Sequence, residues 1–218
     1  ERLGDYSTSL QYYEDSLALK RKLGNREGEA ITLGNIGNIY QLLENDLEAL
    51  RYYEESLELS RELNYPASQV NTLSNMGIVS RQQVVNDSGE LQRYEESLEL
   101  SRELNNLIGE ATALSNIGNT YRRLGRYSEA LQYYQESLAL NRELGNRAGE
   151  ANNLNNIGYL FESQTKLELA IIFFKQSINI YERIRESNQS LDTELQLSFT
   201  ATIEDDYRHL ADLLLQQD

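Results

Sequence analysis

The sequence predicts an all-α fold in which pairs of antiparallel helices stack into a solenoid. The first observation is composition: the 218 residues include one proline and no cysteine or tryptophan, so few residues interrupt long helices. The second is a pair of short phrases that each recur with a period of about 40 residues. The third is the helical spacing of the apolar residues in both phrases. Two phrases in each period indicate two helices in each repeating unit.

One phrase consists of aromatic and polar residues followed by Ser-Leu or Ser-Ile, as in Tyr52-Tyr53-Glu54-Glu55-Ser56-Leu57. Its serines are spaced by 40, 41, 40 and 40 residues and are Ser16, Ser56, Ser97, Ser137 and Ser177. A helix places Ala49, Leu50, Tyr53 and Leu57 on one face, together with Ser56. This phrase therefore predicts the second helix of each unit.

The other phrase lies upstream of the first and contains Leu, Asn, Ile or Met, and Gly, at 33–37, 73–77, 114–118 and 154–158. Leu33, Ile36, Gly37 and Tyr40 share one helical face, which predicts the first helix of the unit. Gly37 and Ala49 are small where we expect the paired helices to approach closely. Helix-ending residues separate the predicted helices, at Gly24-Asn25, Glu44-Asn45-Asp46, Asn64-Tyr65-Pro66, Gly125-Arg126-Tyr127 and Gly145-Asn146.

The combined pattern is Leu-x-x-Ile-Gly-x-x-Tyr, then Ala, an aromatic residue and a small residue. It resembles the tetratricopeptide repeat (TPR), in the long-helix variety seen in kinesin light chains and G-protein-modulator adaptors. The resemblance covers residues 1–186 and implies a right-handed α-α superhelical solenoid. The expected units are a partial one at 1–26 and full ones at about 28–64, 68–105, 109–145 and 149–186.

The third of these units departs most from the pattern. Ser80 stands where Tyr is expected, the small Ala is lost, and Asn86-Asp87-Ser88-Gly89 carries one extra residue between the helices. Degeneration of the repeat is one interpretation, and a local contact site is the other.

Residues 187–218 predict a capping helix or the start of a further TPR-like unit. Their apolar stripe is Leu195, Phe199, Ile203, Tyr207, Leu210, Ala211 and Leu214. The segment from Ile178 to Leu215 resembles the linker that joins such repeats to a caspase-like CHAT domain in cyanobacterial proteins. That resemblance implies a protease-like domain elsewhere in the same parent chain.

The first helices of a stacked array line its concave side. The residue before each Ile-Gly or Met-Gly pair lies off the packing stripe and is Asn in all four units. The candidate peptide-binding residues are these asparagines and side chains one or two turns further along, namely Asn35, Asn38, Gln41, Asn75, Arg81, Asn116, Asn119, Arg122, Asn156 and Tyr159. Amides in register can pair with a peptide backbone, and similar asparagine ladders line peptide grooves in the family. Alternatively, these amides bond between neighbouring helices or face water.

Charge and residue types limit the possible functions. The formal net charge of −15 disfavours binding to nucleic acid or to an anionic membrane surface. The lack of cysteine excludes disulfides and thiolate metal sites within the chain. His209 is the only histidine, and nothing offers a nucleophile with a base and an orienting group. We therefore expect no enzyme, no cofactor and no metal, and a cytoplasmic protein without a transmembrane segment.

The sequence thus predicts a protein–protein interaction module that binds a peptide or protein segment in its concave groove. Arg81 and Arg122 would favour an acidic or carboxylate group there. One alternative is the regulatory or sensor region of a larger caspase-like protease, and another is a structural spacer or self-association module. The Glu-rich second helices predict a solvated face or, as the alternative, an acidic docking strip.

Overall fold

The computed structural model describes residues 2–82, 87–187, 204 and 206–215. The helices there are α1 (Arg2–Lys22), α2 (Arg26–Leu42), α3 (Asp46–Glu62), α4 (Pro66–Gln82), α5 (Asp87–Glu103), α6 (Leu107–Arg123), α7 (Tyr127–Glu143), α8 (Arg147–Ser163) and α9 (Leu167–Ser187). Residues 206–215 are also helical and are called α10. The predicted all-α class with paired helices is confirmed.

Within the described residues, short turns with a left-handed residue join α1 through α4 and α5 through α9. Gly24, Gly125 and Gly145 have φ values of 67°, 73° and 65°, where glycine carries no Cβ penalty. Non-glycine residues take the same conformation at Glu44, Asn64, Asn105 and Thr165. An asparagine then caps several of the following helices; for example, Asn25 Oδ1 accepts a hydrogen bond from the Gly28 amide at 2.9 Å.

A glycine in each first helix faces an aromatic ring of the second. A Cβ atom on Gly37 would lie 2.6 Å from Cε1 of Tyr53, and one on Gly118 would lie 2.7 Å from Cδ1 of Tyr134. The other two pairs of this kind are Gly77 with Tyr94 and Gly158 with Phe174. Close approach of the paired helices therefore depends on the missing side chain, as the sequence predicts for Gly37.

In the second helices α3, α5 and α9, the recurring serine is buried and bonds to the backbone of the paired first helix. Ser56 Oγ donates to the Ala30 carbonyl at 2.8 Å, and Ser177 Oγ donates to the Ala151 carbonyl at 2.8 Å. Ser97 makes the equivalent bond to Val70 at 3.2 Å. A small hydroxyl therefore satisfies its own hydrogen-bonding capacity inside the helix pair.

Ion pairs link the end of one second helix to the start of the next first helix. The recurring pairs are Arg21 with Glu29 at 2.8 Å, Arg102 with Glu110 at 2.7 Å, and Arg142 with Glu150 at 2.8 Å. In the remaining unit, Gln69 occupies the glutamate position, and Arg61 pairs with Glu96 instead.

The chain divides into two compact units, 1–113 and 114–218. The core of the first unit comprises the buried clusters Leu17, Ala30, Leu33, Ile36 and Leu59, and Ala49, Tyr53, Leu57, Leu73, Met76 and Val79. In the second compact unit, one buried cluster is Ala170, Ile171, Phe174, Ile178, Leu210 and Leu213. Helix α10 therefore contributes to the core of the second unit.

Among the described residues of the apolar stripe predicted for the C-terminal segment, Leu210 is buried, whereas Tyr207, Ala211 and Leu214 are exposed, so the stripe is wrong at these three positions. Leu213 is 1% exposed, whereas the predicted Leu214 is 40% exposed. Within Leu213-Leu214-Leu215 every residue is apolar, so the sequence alone does not identify the buried one. Three further residues of the stripe, Leu195, Phe199 and Ile203, lie outside the described residues.

The irregular third unit buries a carboxylate at the position of the missing alanine. Ala49 and Ala130 are fully buried in their units, and Glu90 occupies the equivalent position with 1% exposure. The side chain of Ser80 and residues 83–86 lie outside the described part of the chain, so the inserted residue is not located.

Candidate functional site

A groove of about 480 Å³ crosses the first helices α2, α4 and α6 in the first compact unit. We call it the first-helix groove and define it by the lining residues Ile31, Asn35, Asn71, Asn75, Ile108 and Thr112. Ile31, Asn71 and Thr112 occupy the same position in successive first helices, one turn before the predicted asparagines. Their alignment places equivalent side chains of three helices along one groove.

The asparagines of this groove differ in how much of their hydrogen-bonding capacity is used. Asn75 Nδ2 donates to Asn38 Oδ1 at 2.8 Å, which joins α4 to α2. Asn35 and Asn71 make no side-chain hydrogen bond within the described residues; Asn35 is half-buried and Asn71 is exposed. Each free amide can donate two hydrogen bonds and accept others. The side chains of Asn35 and Asn71 are therefore available to a ligand, and the side-chain oxygen of Asn75 is available as an acceptor.

Three of the predicted ligand contacts bond to buried tyrosines instead. The Tyr53 hydroxyl donates to Asn38 Oδ1 at 2.7 Å and lies 3.0 Å from Gln41 Oε1. The Tyr134 hydroxyl donates to Asn119 Oδ1 at 2.8 Å. These amides give the buried hydroxyls the partners that they need.

Burial also changes the acidity of both tyrosines. It raises the pKa of Tyr134 to about 12, although the guanidinium of Arg122 opposes the shift, and it raises the pKa of Tyr53 further. Both phenols therefore stay neutral and able to donate. In the last unit, Tyr159 replaces the asparagine and faces Phe174, a ring without a hydroxyl.

The candidate asparagines of the second compact unit are partly engaged. Asn156 Nδ2 donates to Ser115 Oγ at 3.2 Å. The Nδ2 atom of Asn116 is buried and has no hydrogen-bond partner in the described part of the chain. The Asn156 bond is an instance of the alternative in which the ladder bonds between neighbouring helices.

Arg122, the predicted cation of the second compact unit, lies against aromatic side chains. The Arg122 guanidinium is 5.9 Å from the ring centroid of Tyr159. Tyr159 in turn packs against His209 of α10, with 5.2 Å between ring centroids. His209 Nε2 lies 3.0 Å from Glu162 Oε2, so the single histidine has a packing and pairing role. Arg81 lies in α4, and its side chain lies outside the described residues.

Sequence reasoning missed Ile31, Asn71, Ile108 and Thr112 as groove residues. A usable signal was present, because Ile31 and Asn71 stand four residues before Asn35 and Asn75 and share their helical face. Ile108 carries no repeating signal, since Ala67 stands at its position in the preceding unit.

Among the described residues, no group of three or more His, Asp or Glu side chains could hold a metal ion. In the same part of the chain, no helix combines the length and the apolar character needed to cross a bilayer.

The groove and the recurring contacts define a class of protein, the paired-helix repeat. The tetratricopeptide repeat family matches residues 1–62, 68–143 and 109–183, and the chain belongs to that family. A search of curated proteins finds no match.

Solved structures share the fold at low sequence identity. BtubC (BKLC) from P. vanneervenii is 18% identical with a TM-score of 0.72, and the match covers 96% of this chain and 85% of that chain. A Rap protein complexed with Competence and Sporulation Factor is 16% identical with a TM-score of 0.73, covering 99% of this chain and 64% of that chain.

A third structure contains the fold as one part of a larger protein. It is a signal-transduction ATPase with a tetratricopeptide repeat sensor from Pyrococcus horikoshii, 17% identical with a TM-score of 0.65. The match covers 88% of this chain and 34% of that chain.

Membership of the family makes this chain a protein-interaction module in the general sense, with proteins or peptides as partners. The repeat fold is typically non-catalytic.

Proposed function

We propose that the chain binds an extended segment of a partner protein in the first-helix groove. The observation that carries the proposal is the pair of free amides, Asn35 and Asn71, which lie in one groove between exposed apolar side chains. An extended peptide has unpaired backbone N–H and C=O groups at regular intervals, and side-chain amides can pair with both. Such contacts hold a segment largely independently of its side chains.

A further observation supports this proposal. The structurally similar Rap protein was solved in complex with Competence and Sporulation Factor, so a fold of this kind does hold a second molecule. Within the second compact unit, taken by itself, Asn116 retains a buried amide nitrogen without a partner among the described residues. We keep Asn116 and Asn156 as candidate peptide contacts of that unit, separate from the first-helix groove.

The test uses a double variant, Asn35→Ala with Asn71→Ala, which leaves the Asn75–Asn38 bond intact. Partners captured from the source cell are titrated against the parent and the variant. Two lost hydrogen bonds should weaken binding by about 1–3 kcal/mol. Helical content, measured by circular dichroism, should be unchanged because neither side chain bonds within the described fold.

The matched control replaces two exposed glutamates of the second helices, Glu54→Ala with Glu95→Ala. We expect it to bind like the parent. If this control loses affinity while the asparagine variant retains it, the partner docks on the acidic second helices and the groove proposal is wrong.

A second candidate function is a sensor region that regulates a larger protein. The ATPase from Pyrococcus horikoshii carries its repeats as a sensor, and the resemblance of residues 178–215 to a CHAT linker points to a protease-like neighbour. The test is to read the parent gene beyond the codon for Asp218. A catalytic domain there, with an activity that changes when the groove is filled, would support the sensor function. A parent protein without such a domain would contradict it.

A further inference from the structure

The first-helix groove is uncharged in a strongly charged protein. Charged residues make up 25% of the chain, and the formal net charge is −15. None of the described residues that line the groove is charged; the side chains there are aliphatic, amide, hydroxyl or Tyr. Arg122, which the sequence suggested for an acidic group, is not among these described lining residues, and the side chain of Arg81 lies outside the described part of the chain.

An uncharged groove discriminates against charged side chains. A carboxylate or ammonium group loses hydration on entering it and finds no opposite charge among the described lining residues. An acidic segment is also repelled by the negative net charge of the chain. Uncharged side chains avoid both costs.

Two exposed isoleucines give the groove apolar contact surfaces. Ile31 of α2 is 42% exposed and Ile108 of α6 is 64% exposed, so both offer apolar area that a ligand could remove from water. Asn35, Asn71 and Asn75 lie in the same groove. The arrangement combines backbone-pairing amides with two sites for aliphatic side chains.

The spacing of the helices sets the length of segment that fits. Packed helices lie about 8–10 Å apart, so the step from α2 over α4 to α6 spans roughly 16–20 Å. An extended chain rises about 3.3 Å per residue, which makes this span about five to six residues. Two side chains six residues apart point to the same face of an extended strand, because side chains alternate with a period of two.

We infer that the groove selects an extended, uncharged peptide segment with two aliphatic side chains about six residues apart, one against Ile31 and one against Ile108. This inference rests on the proposed function and specifies its ligand. The amides at Asn35, Asn71 and Asn75 pair with the backbone between the two side chains. Recognition is apolar and hydrogen-bonded, so its affinity depends little on salt.

The experiment selects peptides from a phage-displayed library of random twelve-residue sequences on the whole 218-residue chain. The best peptide is then synthesised and titrated in low and high salt. The groove variant is Ile31→Asp with Ile108→Asp, and the matched control is Leu47→Asp, an exposed leucine of the second helix α3 at 75% exposure.

We expect the selected peptides to share an uncharged segment with two aliphatic residues at the stated spacing. The affinity of the best peptide should fall at least tenfold in the isoleucine variant, and it should be unchanged in the Leu47 control and at high salt. Helical content of each variant is the folding control. Failure to enrich any uncharged peptide overturns the inference.

Two other outcomes separate this inference from the proposed function. The selected peptides could carry a charged central segment and still bind the isoleucine variant less tightly than the parent. That result would overturn the stated ligand chemistry and leave the groove as the binding site. Peptides whose affinity is unaffected by the isoleucine variant would overturn the inference and count against the groove itself.

Discussion

The recurring glycines, serines and arginines of the repeat each contact a particular group of a neighbouring helix, and that contact explains the residue type. Gly37 lies against the Tyr53 ring, Ser56 Oγ bonds to the Ala30 carbonyl, and Arg21 pairs with Glu29. Each contact recurs in at least two other units. In the last unit, Tyr159 and Phe174 replace Asn119 and Tyr134, so the amide is absent where the hydroxyl is absent. In the third unit, Ile78 replaces the amide although Tyr94 keeps the hydroxyl.

Gly37→Ala should destabilise the fold. Its Cβ would lie 2.6 Å from the buried Tyr53 ring, and overpacking of this kind costs about 1–3 kcal/mol. The control is Gly34→Ala in the same helix, where the nearest atom is Ser56 Oγ at 3.4 Å. That substitution should be neutral or stabilise the helix by up to about 1 kcal/mol. Urea unfolding midpoints measure both; equal midpoints would contradict the packing assigned to Gly37.

Glu150→Gln should destabilise the protein at neutral pH and much less in acid. Burial acts to raise the pKa of Glu150, but hydrogen bonds from Arg142 and Arg147 outweigh it and hold the pKa below its ordinary value of 4.5. A carboxylate with a lowered pKa stabilises the fold when ionised. That stabilisation is present above the ordinary pKa and is lost as the pH falls through the folded-state value.

We expect a loss of about 1–2 kcal/mol for Glu150→Gln at about pH 7 and a much smaller loss at about pH 3. Urea unfolding at the two pH values measures the difference, with the exposed Glu143→Gln as the control. A loss that is equal at both pH values would show that the ion pairs with Arg142 and Arg147 do not stabilise the fold.

At the scale of elements, each helix depends on its neighbours more than on its own sequence. Helix α10 illustrates this, because Leu210 and Leu213 pack with Phe174 and Ile178 of α9. Its polar side chains add two contacts to α8, from Asp206 to Asn155 at 3.1 Å and from His209 to Glu162 at 3.0 Å. We propose that α10 caps the repeat array at this end.

Leu213→Asp should detach α10 from α9. A carboxylate at a side chain that is 1% exposed has no described partner to offset its desolvation, so we expect a loss of several kcal/mol. Leu214→Asp is the matched control at 40% exposure and should change stability by no more than about 0.5 kcal/mol. Thermal unfolding compares the two variants. Equal melting temperatures would contradict the capping role.

At the scale of the whole molecule, the period of about 40 residues was enough to predict the helix pairs and the family, because each unit repeats the same contacts. The sequence did not reveal which of Leu213, Leu214 and Leu215 is buried, since a run of leucines has no helical period. The left-handed turns at Glu44 and Thr165 also lack the expected glycine.

The candidate site was only partly predictable for a related reason. A helical wheel shows that Asn35, Asn38 and Asn75 avoid the apolar stripe, but it does not show what each one contacts. Asn38 bonds to the Tyr53 hydroxyl and to Asn75, and both contacts depend on distances between helices. Asn35 and Asn71 are available because no described neighbour reaches them.

The central claim is that a partner occupies the first-helix groove, and photo-crosslinking tests it most directly. A photoreactive amino acid replaces Asn71 in the groove or, in the matched protein, the exposed Glu54 of α3. After illumination in the presence of a labelled captured partner, the protein with the photoreactive residue at position 71 should form a covalent adduct. An excess of unlabelled partner should suppress that adduct. Crosslinking at Glu54 with none at Asn71 would contradict the groove as the binding site.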